Sequence, residues 1–396
     1  MIDFGFELLK GIGRLFAHPL TYFIPFIMFL MGVMRVKRER HAFHTSVRGA
    51  LFDVTVPLLP GVLAGICLSV FILVAGVTVP AAFVHLVGVI TAVFLLFGRI
   101  RWLSPSYTIG LAMILAFFLP SFESDYTWLD EFFTELGQGD YRPVVVLLAV
   151  TLFIEGILLL KDGKRHTSPL IVKSSRGKWI GAHLLQRIWF IPAFFVVPGS
   201  AVEAVNWWPV IPVNESGFAL FLIPFVIGAK QRMFYALPAQ TLQPVGKFVI
   251  LLSLFIAVCA VFAYYEPLII MYAAVVAMLF RSILMLWSRR QEQNHPPLFA
   301  LRERGIRILG ILPESPAEKM ALQPGEIIMK VNGQEVNNEA EFYQALQKNS
   351  AYCKLEVEDE QGEVRHTQST VYDNEHYELG LLFVKEEEEI VTTMEA

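Results

Sequence analysis

Nine stretches of the chain, at roughly 19–36, 54–79, 81–98, 103–120, 143–160, 180–199, 217–234, 246–264 and 267–287, are almost free of charge and about as long as a bilayer is thick. A helix rises 1.5 Å per residue, so about 20 apolar residues cross the hydrocarbon core. Backbone N–H and C=O groups find no water there and must bond one another, which makes helix the expectation for all nine runs. None shows the alternating ten-residue pattern of a barrel strand. The mean hydropathy of +0.53 and a charged fraction of 17%, against about 25% in soluble proteins, describe the same kind of chain.

The segments between the runs alternate in charge. Residues 37–48 (KRERHAFHTSVR), Arg99 with Arg101, residues 161–178 (KDGKRHTSPLIVKSSRGK), Lys230 with Arg232, and Arg289 with Arg290 are basic. The intervening loops are acidic or bare; residues 121–142 carry Glu123, Asp125, Asp130, Glu131, Glu135 and Asp140 against Arg142. By the positive-inside rule this alternation places the C-terminus in the cytoplasm. The expected fold is a polytopic α-helical membrane protein of seven to nine spans. The range reflects a tight hairpin around Pro80, the short run at 103–120, and Arg187, Pro192 and Pro198 within 180–199. Residues 2–17 set Phe4, Leu8 and Leu15 beside Lys10 and Arg14, as an interfacial helix would.

Charges inside apolar runs are where transport chemistry would reside. Glu155 and Arg187 lie at similar depth on neighbouring runs and are expected to form an intramembrane pair, read either as part of an ion path or as a structural tie beside snorkelling arginines such as Arg281. Asp53 is assigned to helix capping and His85 to core packing. Cys67, Cys259 and Cys353 are scattered, with no CxxC, so neither a disulfide framework nor a metal site is expected.

The character changes after Trp287. Residues 1–290 carry 23 Lys and Arg against 15 Asp and Glu, a net of +8; residues 291–396 carry 9 against 21, a net of −12. An acidic soluble part argues against nucleic acid as a partner. The expected organisation is a multi-span region over 1–290, a linker at 291–299 (QEQNHPP within it), a folded domain at 300–384 and an acidic disordered tail at 385–396. The domain reads as a strand at 305–312, a short helix at 316–322 opened by Pro316, a strand at 326–331, an Asn-Gly hairpin turn at 332–334, a helix from Asn337 or Asn338 to about Lys348, strands at 352–358 and 364–371, and a last strand near 377–384.

The run ESPAEKMALQPGEIIMKVNGQEV resembles the bacterial PDZ signature continuously over some 23 residues, with Glu326 where Asp is commoner and Met320-Ala321 where Ala-Gly is commoner. The resemblance implies an α+β PDZ domain that adds a peptide as an extra strand between a sheet edge and a helix. The groove is expected from Arg304, Gly305, Ile306 and Ile308 on the strand and Phe342, Ala345 and Leu346 on the helix; these helix residues read equally as ordinary core. The glycine loop that would receive a ligand carboxylate is either RERGI at 302–306 or ELGLL at 378–382.

Proteases often carry such domains. The chain has no His-Glu dipeptide, hence no HExxH zinc motif, and PGSAVE at 198–203 is not a rhomboid serine motif. Zinc spacing and phosphate-cradling glycine loops are also missing, so the chain is expected not to be an enzyme and to need no cofactor. The layout of many spans followed by one PDZ domain, with the opening MIDFGFELLKGIGRLFAHPL, resembles the MinJ family, division-site topology factors of Bacillus-type Firmicutes. That resemblance implies a membrane adaptor at the division septum and cell poles, bridging the scaffold DivIVA to MinD so that MinD with MinC blocks FtsZ assembly, with other division proteins and the lipid bilayer as further contacts and self-association left open. A transporter or a protease adaptor with a regulatory PDZ domain is the alternative.

Overall fold

The computed structural model describes residues 2–122, 125–174, 177–203, 217–348, 352–370 and 379–384. Helix α1 (Ile2–Ala17) is amphipathic; α2 (Leu20–Phe43), α3 (Phe52–Ala75), α4 (Ala81–Leu96), α5 (Pro105–Phe118), α6 (Thr127–Gln138) and α7 (Arg142–Leu158) follow. Strands β1 (Ser168–Lys173), β2 (Trp179–Glu203) and β3 (Gly217–Met233) interrupt the helices before α8 (Pro238–Phe262) and α9 (Leu268–Asn294). Five helices, α2, α3, α7 with its continuation to Gly163, α8 and α9, are long and apolar enough to cross a membrane, and α4 and the helix of α5 are shorter apolar ones. Their outer faces carry large exposed apolar side chains such as Leu59, Leu63, Val74, Leu251 and Ile283, the surface a bilayer would cover. The chain is a membrane protein with a C-terminal PDZ domain. His85 stands exposed on α4 instead of packing in the core, and the acidic stretch at 121–142 contains α6, whose helical period its loop-like charge conceals.

The expectation of nine helices fails at 180–199 and 217–234, which form the two arms of a long antiparallel hairpin. The composition explains this once the pairing is seen. Both arms are rich in aromatic and β-branched residues, and Pro192 and Pro224, which would break a helix interior, stand directly opposite each other in the register. The carbonyls of Phe190 and Pro192 point away from β3 toward α3. The nitrogen of Pro192 therefore lies on the outer side too, where no ladder bond is lost. Between His183 and Val197 the arm extends about 45 Å at 3.3 Å per residue, enough to traverse a bilayer.

Strand β1 pairs with β2 only from Trp179 to Leu184, and beyond it the hairpin is two strands wide, a form unstable in lipid because its edges leave polar backbone unpaired. Here the edges are covered. Gly61, Gly65 and Ser69 recur every fourth residue on α3 and face alternate residues of β2. A Cβ at Gly61 would lie 2.2 Å from the Phe190 carbonyl oxygen and one at Gly65 2.2 Å from that of Pro192, while Phe194 N donates to Ser69 Oγ at 2.9 Å. Four helical residues advance about 6 Å and two strand residues about 6.6 Å, so the two repeats stay in step. Nearer the strand end, Val79 N donates to Val196 O at 2.8 Å. On the β3 side, α1 lays Gly11 against Leu220 and Leu222, and Arg14 donates to the Leu220 carbonyl at 2.8 Å. Further along, Arg101 donates to the Lys230 carbonyl at 3.0 Å.

Buried charges are paired, but not as expected. Glu155, fully buried on α7, accepts from Arg281 of α9 at 2.7 Å and from Ser104 at 2.7 Å. Arg187 instead bonds Asp162 at 2.8 Å and the carbonyls of Asp162, Arg165 and His166, and Trp189 Nε1 donates to the same Asp162 carboxylate at 2.7 Å. The expected Glu155–Arg187 pair assumed two antiparallel helices; a strand rises faster per residue than a helix, so equal counts of residues do not give equal depth. Asp53, in the first turn of α3, takes part in an ion cluster with Arg35 at 2.8 Å, which also holds Glu39 at 3.0 Å. The basic segments converge at the end of the bundle that carries the PDZ domain, through Arg38 to Ser168, Arg101 to Lys230 and Gln231 to Ser288.

The PDZ part comprises β4 (Ile306–Arg307), β5 (Gly310–Ile311), α10 (Pro316–Lys319), β6 (Ile327–Val331), β7 (Gln334–Glu335), α11 (Glu339–Gln347), β8 (Tyr352–Glu358), β9 (Val364–Thr370) and β10 (Leu381–Leu382). One sheet runs β4-β6-β8-β9 with β7 on β6, and β5 pairs with β10. Asn332 and Gly333 have φ of 50° and 84°, the two positive values that a type I′ hairpin turn requires. Helix α9 continues to Asn294, past the expected start of the linker. The tail at 385–396 lies outside the described residues.

Candidate peptide-binding groove

Helix α11 begins at Asn338, whose side chain accepts from Glu341 N at 2.8 Å while the Glu341 carboxylate accepts from Asn337 N at 2.8 Å, a reciprocal cap that fixes the first turn. Its period places Phe342, Ala345 and Leu346 inward, where all three are buried in the PDZ core with Leu381 and Phe383. The Phe342 and Phe383 rings meet edge to face with centroids 5.1 Å apart. The three helix residues are thus core, and Phe342 seats α11 against Phe383, the residue after β10.

The strand of the groove differs from the expectation. Ile306 and Arg307 pair with Ile328 and Ile327 of β6. Gly305 is held by its N–H to Asn337 Oδ1 at 3.1 Å and sits at φ +72° against β6, where a Cβ would lie 2.6 Å from Ile327. Ile306 and Ile308 are core, and Arg304 is exposed, 3.6 Å from Glu335. The strand beside α11 is β10, from the second of the two glycine motifs. Leu381 and Leu382 pair with Ile311 and Gly310, Leu309 N donates to Leu382 O, and Leu312 N donates to Gly380 O. Bonds alternate sides along a strand, so the backbone groups of Leu381 and Phe383 face away from β5, the edge a peptide strand would use. Gly380 precedes it at φ +77°, and a Cβ there would lie 2.3 Å from Ser315 Cβ, so the close approach of this loop to the Ser-Pro-Ala turn demands glycine. A weak ELGLL motif near the chain end carried the signal, but only the pairing with β5 distinguishes it from RERGI.

The faces of this strand look to two different cores. Leu381 and Phe383 point into the PDZ core, while Leu382 and Val384 join Phe43, Phe299 and Leu309 in a cluster between the PDZ domain and the bundle. Gly181 N of the hairpin donates to Phe299 O at 2.8 Å, and Leu298 N donates to Phe234 O at 2.7 Å. Strand β10 thus lies at the junction between the PDZ domain and the membrane region.

The two departures from the PDZ signature are explained locally. Ala321 adopts φ +53°, a left-handed position that favours the glycine usual there. Glu326 reaches across to Arg365 of β9, which forks onto both carboxylate oxygens at 2.8 and 2.9 Å and also bonds the Ala321 carbonyl at 3.0 Å.

A membrane region of helices and one long hairpin joined to a PDZ domain has the layout of a membrane-anchored recognition protein. Residues 307–358 match the PDZ domain family; β10 lies beyond that match. Over 392 residues, 98% of both chains, the sequence is 36% identical to the cell division topological determinant MinJ of Bacillus subtilis (strain 168). It is 23% identical over 369 residues to a probable cell division topological determinant MinJ of Lacticaseibacillus paracasei, covering 90% of this chain and 92% of that one. The chain belongs to the MinJ family of cell division topological determinants.

Proposed function

We propose that the protein is a membrane adaptor in division-site selection. It bridges a DivIVA-like polar and septal scaffold to MinD, so that MinD with MinC inhibits FtsZ assembly at poles and completed septa. The observation that carries this reading is similarity to MinJ along both the membrane region and the PDZ domain. Orientation follows from charge: the basic segments gather at the PDZ end, which the positive-inside rule assigns to the cytoplasm, where these partners reside. The action is recruitment and not catalysis, since holding two partners at one membrane site raises their effective concentration. The edge of β10 beside α11 is the docking strand. As alternatives, a transporter would need mobile intramembrane charge, whereas Glu155 and Asp162 are each tied to an arginine; a protease adaptor would need the same groove to take many free C-termini.

A fluorescent fusion in a dividing Gram-positive rod tests the proposal. Signal at septa and poles that disperses when the DivIVA scaffold is deleted is the expected result. Uniform membrane signal in both strains would reject it.

A further inference from the structure

A cavity of about 490 Å³ opens at the PDZ end of the bundle, between β3, α9 and the start of α8, and its wall carries Arg101, Lys230, Arg232, Arg281 and Arg289 against the single carboxylate of Glu292. Of these, Arg281 is neutralised by Glu155. One Glu292 carboxylate oxygen accepts from the backbone N–H groups of Phe234 at 2.7 Å and Tyr235 at 3.3 Å, and the other is buried without a hydrogen-bond partner among the described residues, one carboxylate against several cations. Arg101 reaches only a carbonyl and the Met285 sulfur, and Arg101, Lys230, Arg232 and Arg289 have no ion pair among the described residues. Four uncompensated cations around one space repel one another. Burial, with Arg289, Arg281 and Arg232 nearby, draws the Arg101 guanidinium below its ordinary pKa. Arg101 and Lys230 are half-buried and Arg232 and Arg289 exposed, and all four line one cavity of the size that holds small molecules.

The rest of the lining fixes the kind of anion. Val245 and Leu284 supply apolar wall beside the cations. The flank of α9 immediately outside exposes Ile283, Leu286 and Trp287, an apolar face ending in an interfacial tryptophan. An anionic head with hydrocarbon attached satisfies both parts. We propose that this cavity binds the phosphate-bearing headgroup of an anionic phospholipid drawn from the leaflet on the PDZ side, with its chains lying along α9. Basic pockets between membrane helices hold such headgroups elsewhere. The site is separate from the groove of β10 and α11, and its occupancy does not depend on the identity of the division partner.

The test uses the full-length protein, delipidated in detergent, with phosphatidylglycerol or phosphatidylcholine added and bound lipid counted by native mass spectrometry. Phosphatidylglycerol is expected to be retained at least tenfold over phosphatidylcholine. The triple variant R101Q/R232Q/R289Q should lose at least fivefold of that retention, and R289Q alone, at an exposed position that tolerates change, should lose part of it. Removing two exposed PDZ arginines, R302Q/R304Q, should change nothing. Equal retention of the two lipids, or unchanged retention in both the triple variant and R289Q, would overturn the proposal. Displacement of phosphatidylglycerol by millimolar inorganic phosphate would also overturn it, assigning the cavity to a soluble phosphate compound.

Discussion

Ala321 holds a left-handed backbone position at an exposed site, which costs an L-residue with a side chain about 1–2 kcal/mol. Glycine relieves that strain but adds entropy to the unfolded chain, so Ala321→Gly is expected to stabilise the PDZ domain by about 1 kcal/mol. Cys353 provides the readout: it is fully buried and burial pushes its thiol up to about 12, so alkylation followed by peptide mass spectrometry reports opening of the domain and should slow in the variant. The buried Glu155–Arg281 pair makes a second prediction. Removing one partner leaves an uncompensated charge in an apolar bundle, which costs about 3–5 kcal/mol. Glu155→Gln or Arg281→Met should therefore lower the thermal midpoint sharply, and the double variant should recover most of the loss. Equal midpoints for single and double variants would reject the pairing.

The hairpin of β2 and β3 survives within a helical bundle because α3 offers it a smooth side. A methyl group at Gly61 or Gly65 would lie 2.2 Å from strand carbonyl oxygens, so Gly→Ala at either position must push the helix off the edge, at about 1–3 kcal/mol. Gly88 of α4 is the control, since a Cβ there meets only Leu20 at 3.7 Å; Gly88→Ala should be neutral or stabilise by up to about 1 kcal/mol through helix propensity. Thermal unfolding in detergent would rank the three. A result in which Gly65→Ala behaves like Gly88→Ala would contradict the packing of α3 on β2.

At the scale of the whole molecule, the PDZ domain is seated on the membrane region and not merely tethered to it. Gly181 leaves no room in that seat: a Cβ would lie 2.7–2.9 Å from Leu309, Phe299 and Val384. Gly181→Val is expected to unseat the domain and expose the Pro296-Pro297 segment to protease without unfolding either part. Because Leu382 and Val384 of the groove strand share that seam, the same variant should alter peptide binding at β10. Protease resistance and peptide affinity both unchanged from the parent would show that the seam carries no load.

Much of this was legible beforehand. The positions of the apolar runs, the amphipathic start, the Pro-Gly and Asn-Gly turns, and the strands and helices from 316 to 358 follow from local rules of periodicity, turn chemistry and charge. The hairpin was not legible, because a fully apolar run reads alike whether it bonds within itself or to a partner, and its choice rests on Pro192 meeting Pro224 and on glycines of α3 about 130 residues away in sequence. The pairing of Glu155 with Arg281 and the choice of β10 as the groove strand are of the same kind. The sequence alone determined that the chain enters a membrane and ends in a PDZ domain, since composition and short motifs decide those. The tertiary structure decided which apolar runs are strands, which charges meet and which strand pairs with β5, because each depends on contacts between segments far apart in the chain.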